Sequence, residues 1–216
     1  MVDESDEKDR LRRVFDDISS EFSRTRQEPW DRVVEFVEGV EPTGDELSVA
    51  LDLGCGNGRH LPLLSRGFDE SVGIDFSSEM LNEATKKGYA DGSHLARGEL
   101  TRLPVRSSVV DAVLYVASLH HLPTHAERLA SLGEVSRVLE PDGSALISVW
   151  AIEHSYFDEI REKDGDVYVS WGSGNENERF YHIFDESEFR ELVRGSDLKL
   201  DSLETVSGNY YAVVSS

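Results

Sequence analysis

Leu51-Asp52-Leu53-Gly54-Cys55-Gly56-Asn57-Gly58-Arg59-His60 is an apolar strand that runs straight into glycines at alternate positions. Gly54, Gly56 and Gly58 remove every Cβ that would block close approach, so the turn reads as a backbone floor for a small ligand, with Asp52 at the end of the strand. The spacing excludes two phosphate-binding patterns. A dinucleotide fingerprint G-x-G-x-x-G would need its third glycine where Arg59 stands, and the Walker pattern G-x-x-x-x-G-K-[ST] is absent. The bland alternative is a tight strand-to-helix turn with no ligand.

The next elements bear on that alternative. A short helical stretch (His60 to Ser65) precedes the strand Ser71-Val72-Gly73-Ile74-Asp75-Phe76. Asp75 therefore falls about 20 residues beyond the glycine turn, where an α/β nucleotide fold presents a carboxylate to ribose hydroxyls. Ser77 or Ser78 then caps a helix through Glu79, Met80, Leu81 and Ala84 that ends near Gly88. Phe76 is placed to pack on an adenine face, with a plain core position as the alternative.

At 216 residues the chain suits one α/β domain. It has no apolar run of about 18 residues and no charged-then-apolar leader, which points to a cytoplasmic protein outside membranes. The single cysteine, Cys55, cannot form an internal disulfide or a cysteine-built zinc site, and the seven histidines show no ligand spacing. No bound metal is expected. The 43 acidic and 22 basic residues give a net charge of −21, and only five of the bases are lysine. The acids are spread along the whole chain. That distribution suits a cytoplasm of molar salt, where the Debye length shrinks to about 3 Å, better than it suits an acidic interaction tail. Net charge therefore does not veto an RNA substrate.

From Asp9 the apolar positions Leu11, Val14, Phe15, Ile18 and Phe22 recur at helical intervals, and Pro29 opens a second helix with Trp30, Val33, Phe36 and Val37. Pro42-Thr43-Gly44 breaks it. Buried runs follow at Leu47 to Leu53, Ser71 to Phe76, His94 to Arg97, Val109 to Ala117 and Ala145 to Trp150, separated by helical stretches. The helix Thr124 to Leu139 ends at Pro141-Asp142-Gly143. A polar insertion, Glu153 to Glu178, precedes a helix (Glu186 to Arg194) and the strands Leu198 to Val206 and Tyr210 to Val214, which read as an antiparallel hairpin. The expected fold is a Rossmann-like α/β domain: a seven-stranded, mostly parallel sheet with an antiparallel last strand and helices on both faces. Residues 1–45 form an N-terminal helical extension, 46–152 the cofactor-binding core, 153–182 the insertion, and 183–216 a helix and strand hairpin. Ligands in such sheets lie outside the carboxyl ends of the strands, where the glycine turn, Asp75, Glu99 and Val116 to His121 all fall.

The motifs LDLGCGNG, GIDFS, GEL-x-x-LPVRSSVVDAVL, ASLHHL and RVLEPDGSALISVW together resemble the class I S-adenosylmethionine (SAM) methyltransferases. A narrower similarity lies outside that core, in VFDDISSEFSRTRQEPW (Val14 to Trp30), Arg179-Phe180-Tyr181-His182-Ile183-Phe184 and Gly208-Asn209-Tyr210-Tyr211. These resemble the tRNA wobble-uridine carboxymethyl methyltransferases of the AlkB-homologue-eight type. The resemblance implies esterification of 5-carboxymethyluridine in the tRNA anticodon, with SAM as cofactor and a small zinc-binding activator protein as partner. It implies that Asp52, Gly54, Cys55, Gly56, Asn57 and Gly58 surround the methionine part of SAM. It further implies that Asp75 holds the ribose, that Phe76, Glu99 and Leu100 border the adenine, and that Val116 and Ala117 border the sulfonium. Glu99 is one methylene longer than the aspartate of most relatives. The activator would dock on the edge strand near His94 to Arg97, for which an ordinary solvent-exposed edge is the alternative.

A carboxylate substrate is already ionised at neutral pH, with an unperturbed pKa near 4, so the reaction needs no general base. It needs alignment, exclusion of water and cationic donors for the acid. Arg26 and Arg179, which the cofactor fold does not explain, meet that need, with Tyr181 and His182 as hydrogen-bonding or stacking neighbours. The plain alternatives are a surface ion pair for Arg179 and a core position for Tyr181. Trp30, Tyr168, Trp171 and Tyr181 are candidates for stacking on anticodon bases. A methyltransferase of quinones or other metabolites, and a SAM-binding module without catalysis, stay open as alternative functions.

Overall fold

In the computed structural model, which describes residues 4–42, 47–153, 165–172 and 177–216, Val49–Leu53 forms β1, and its last four residues are buried because helices cover both faces of the sheet. β2 (Glu70–Asp75) and β4 (Val110–Val116) flank it in parallel. β3 (His94–Arg97) continues outward from β2, and β5 (Leu139–Trp150) from β4. β9 (Asn209–Ser215) runs antiparallel between β5 and β8 (Lys199–Val206), so the order is β3-β2-β1-β4-β5-β9-β8. Within this sheet, among the described residues, the last strand in sequence alone runs against the others, as the hairpin reading requires.

On one face, α5 (His125–Val138) and α6 (Glu186–Gly195) bury Leu132, Val135, Phe189 and Leu192. On the other, α2 (Asp31–Gly39) and α3 (Leu61–Gly67) bury Val33, Phe36, Leu61 and Leu64. α1 (Glu4–Thr25) places Leu11, Val14, Phe15 and Ile18 against Met80 of α4 (Ser78–Lys86). Ser77 caps α4 by accepting from the Met80 backbone N–H at 3.1 Å, and its own hydroxyl donates to Asp16 of α1 at 2.6 Å. The first helix is thereby tied across the carboxyl ends of β1 and β2, which is what lets it roof a site there.

Two local readings change. α5 stops at Val138 and the chain turns at once into β5, because Leu139 already pairs with Val110. Pro141-Asp142-Gly143 then forms an irregularity inside that strand, with Asp142 at φ +69°. The Glu153 to Glu178 insertion is not all loop. Residues 154–164 and 173–176 lie outside the described residues, as do Thr43 and Gly44 of the Pro42-Thr43-Gly44 break, but β6 (Asp166–Ser170) pairs antiparallel with β7 (Glu178–His182) in a separate two-stranded sheet. The alternation of buried Val167 and Val169 about exposed Tyr168 carries that strand. No helix among the described residues is long and apolar enough to cross a membrane, and none of their His, Cys, Asp and Glu side chains cluster as a metal site would.

Candidate active site

The glycine turn lies at the carboxyl end of β1, held by Gly54 and Cys55 N–H donating to the Ile74 carbonyl at 2.8 and 3.1 Å. Gly54 sits at φ +68°, and a Cβ there would meet the Ser118 hydroxyl at 2.2 Å and its Cβ at 2.5 Å. Gly56 differs: at φ +54°, the nearest atom to its added Cβ would be a Phe22 ring carbon at 3.6 Å, so its bare Cα opens a cradle that a side chain would fill.

That cradle belongs to a cavity of about 210 Å³. Its walls include Gly54, Cys55, Gly56 and Asn57 from the turn, Asp75 and Phe76 after β2, Glu99 and Leu100 after β3, and Val116 and Ala117 after β4. Gly58 packs instead against Ala84 of α4. Asp52 stands behind the turn, buried, with Oδ2 unpartnered and 3.7 Å from His60 Nδ1; His60 does line the cavity, and its Nε2 is also unpartnered. Buried polar atoms left unsatisfied at a cavity floor fit a polar ligand that supplies their partners. Ala117 takes φ +53°, a left-handed conformation rare outside glycine, and is held there by its N–H donating to the Ser148 carbonyl at 3.0 Å.

Asp75 accepts from Gly56 N–H and Ser77 N–H, each at 2.8 Å. Burial pushes its carboxyl up to about 6; the two N–H bonds oppose that shift and the charge of Asp52 adds to it. Burial also raises the Cys55 thiol well above its usual range, with Asp75 and Asp52 contributing. Asn57 links the floor to the roof: its side-chain amide donates to the Arg26 carbonyl at 2.7 Å. The Glu99 side chain is mostly exposed, 3.8 Å from Lys8 Nζ.

Arg26, Arg179 and Tyr181 line the same cavity, opposite the floor. Arg179 is buried and Arg26 half-buried, yet neither forms an ion pair with any described carboxylate, and Arg179 Nε has no hydrogen-bond partner among the described residues. Both guanidiniums lie over the indole of Trp171, at 4.7 and 4.9 Å from its centroid. Tyr181 stacks on Trp150 with centroids 4.2 Å apart and planes 9° from parallel. His182 does not join them. Strand alternation turns it away from Arg179 and Tyr181, and its ring nitrogens bond Asp166 and Glu188, each at 2.6 Å, tying β6 and β7 to α6. Trp30 reaches the cavity edge-on to Tyr211 with Arg59 over its ring at 4.9 Å, whereas Tyr168 lies exposed under Arg10 and does not line it.

The sequence places Val116 to His121 at the ligand end of the sheet but assigns no role to Ser118, His120 or His121, nor to Arg59 and His60; all five line the cavity. A 3₁₀ turn (Leu119–His121) brings both of the adjacent histidines to the cavity wall. Nδ1 of His120 accepts from Trp150 N–H at 3.2 Å, while Nδ1 of His121 donates to the Phe180 carbonyl at 2.8 Å. Burial drives His120 well below its ordinary value and His121 to about 3, with the Arg179 charge adding to both, so both rings are neutral at physiological pH. Arg59, lowered to about 10 chiefly by burial, stays cationic there.

Comparison with known proteins gives a family and a fold. A family model described as a methyltransferase domain matches residues 51–147. The tRNA (carboxymethyluridine(34)-5-O)-methyltransferase of Schizosaccharomyces pombe is 30% identical over 213 residues, covering 87% of each chain. The chain spans only about a fifth to a quarter of the length of the mouse and macaque tRNA (carboxymethyluridine(34)-5-O)-methyltransferases it matches (21% and 26%). Among solved structures, a chain of the complex between the Haloferax volcanii Trm112 methyltransferase activator and a methyltransferase superposes with a TM-score of 0.74 at 18% identity, covering 95% of this chain and 96% of its own. A DhpI–SAM–HEP complex has the same score at 20% identity, over 97% and 98%. With the glycine floor, Asp75 and the matched length of the yeast relative taken together, this chain belongs to the tRNA carboxymethyluridine methyltransferase family of SAM-dependent methyltransferases.

Proposed function

We propose that this chain methylates the carboxylate of 5-carboxymethyluridine at the wobble position of a tRNA anticodon, forming the methyl ester. One observation carries the reading: in a chain with 43 acidic residues, Arg26 and Arg179 both face the cavity with no described carboxylate to neutralise them. Unpaired guanidiniums in a half-buried wall are costly unless a ligand brings the anion. The relatives named as carboxymethyluridine methyltransferases support a carboxymethyl acid as that anion.

SAM, held by the glycine turn and Asp75, would supply an electrophilic methyl group with its sulfur as the leaving group. No proton moves, so a general base has no task, and neutral His120 and His121 leave the arginines as the positive charges that meet the acid. Arg26 and Arg179 orient the carboxylate. The stacked Trp150 and Tyr181 wall excludes water from it. In this reading Asp75 receives the ribose hydroxyls, Phe76, Glu99 and Leu100 border the adenine, and Gly54, Cys55, Gly56 and Asn57 surround the methionine end, with Asp52 buried behind them.

The test is incubation with methyl-labelled SAM and tRNA bearing carboxymethyluridine. Label should enter tRNA in a form that mild alkali releases as methanol, and tRNA bearing the corresponding carbamoylmethyl amide should stay unlabelled. Alkali-stable label, or label found only in small metabolites, would overturn the reading.

A pH effect follows from Asp75. Its folded pKa of about 6 lies above the ordinary aspartate value near 3.9, so the folded chain holds that proton more tightly than the unfolded one. Its stabilising contribution is present below the unfolded value and is lost as pH rises through 6. Ribose hydroxyls prefer the ionised carboxylate, so affinity for adenosylhomocysteine is expected to fall about tenfold per pH unit below 6. Calorimetry at pH 5 and 7 should show the loss, and Asp75→Asn should flatten it.

A small zinc-binding activator is proposed as partner, docking on β3. That strand ends the sheet, with β2 its only strand neighbour among the described residues, and its exposed edge offers a peptide ladder. The Haloferax volcanii complex supports a partner of this kind. An isolated chain that is monodisperse and fully active would sink the partner proposal alone.

A further inference from the structure

Arg26 and Arg179 are like charges on one cavity wall with no described carboxylate paired to either, and what they share is Trp171. Arg26 follows α1, Arg179 lies on β7, and Trp171 follows β6, so three separate elements meet at one indole. The charges repel: burial lowers the Arg26 pKa, and Arg179 lowers it further. A carboxylate between them would relieve the repulsion, but it would occupy the N–H donors that a substrate acid needs. An aromatic face attracts a guanidinium through its quadrupole and leaves the N–H edges available.

The indole is itself fixed. Its Nε1–H donates to Glu21 Oε2 of α1 at 2.9 Å, its backbone N–H donates to the Asn177 carbonyl at 3.0 Å, and its ring lies 5.8 Å from Phe22, tilted by 36°. Trp171 does not line the cavity, so it acts through the arginines.

We infer that Trp171 is a positioning residue whose π face, anchored by Glu21, holds Arg26 and Arg179 at the separation and orientation that grip a carboxylate. This rests on the proposal that the two arginines receive the substrate acid. The experiment compares Trp171→Phe, Trp171→Leu and Arg179→Ala in the full chain with its activator, by steady-state kinetics on tRNA bearing carboxymethyluridine, together with calorimetric binding of adenosylhomocysteine. Phenylalanine and leucine both keep the position apolar, but only phenylalanine offers a π face. Trp171→Leu is expected to raise KM for tRNA about tenfold and Trp171→Phe less than about threefold, with kcat and adenosylhomocysteine affinity unchanged. If Arg179→Ala loses activity while the two Trp171 variants match each other, the inference fails and the arginine reading stands. If Trp171→Leu weakens adenosylhomocysteine binding as much as it raises KM, its role is structural and the inference fails. Full activity of Arg179→Ala would overturn both.

Discussion

Arg179→Ala is expected to lower esterification of carboxymethyluridine-bearing tRNA about a hundredfold, the scale of about 3 kcal/mol that truncating one partner of a buried charge-assisted pair costs. Binding of adenosylhomocysteine should stay within about threefold of the unmodified chain, because Arg179 lies on β7, across the cavity from the glycine floor. Arg179→Lys separates charge from shape: it keeps a cation but loses the planar fork, and an intermediate rate is expected. The check is single-turnover methyl transfer alongside calorimetry. Equal rates for all three proteins would remove Arg179 from the substrate site.

Gly54→Ala acts at the opposite wall and should weaken cofactor binding severely. The added methyl would sit 2.2 Å from the Ser118 hydroxyl, at a φ of +68° that costs an alanine about 1–2 kcal/mol before any clash is counted. Ser118 cannot simply rotate away, since its Cβ would lie 2.5 Å off and its hydroxyl already bonds the Gly54 and Val116 carbonyls. Overpacking adds about 1–3 kcal/mol, so adenosylhomocysteine affinity is expected to fall at least about thirtyfold. Ser118→Gly added to Gly54→Ala should recover part of that loss by removing the clash and leaving the backbone strain. A Gly54→Ala chain that binds with native affinity would show that the turn is not the floor.

What was legible in the sequence is what local rules determine. Apolar runs ending in a glycine turn, an acid about 20 residues on and the ends of β3 and β4 all concern strand carboxyl ends, and the parallel order converts those ends into one cavity wall. His182 shows where this stops. It stands beside Tyr181 in a family motif, but the motif lies on a strand, and a period of two sends neighbours to opposite faces. That strand was hidden because its partner, Asp166–Ser170, sits in an acid-rich stretch that reads as loop. The meeting of Arg26, Arg179 and Trp171 is likewise tertiary, since no spacing in the chain relates the end of a helix to two strands of a separate sheet. The inward turn of both His120 and His121 depends on a 3₁₀ geometry that the pair alone does not specify.

The unneutralised guanidiniums have a kinetic corollary. The acid they would hold carries one negative charge, and the ester formed from it would carry none, so each turnover would erase the attraction proposed to capture the nucleotide. A methylated anticodon should accordingly leave quickly and inhibit weakly, whereas unreacted acid should compete strongly. Directionality would then come from electrostatic loss of grip, with no conformational gate needed to expel the product.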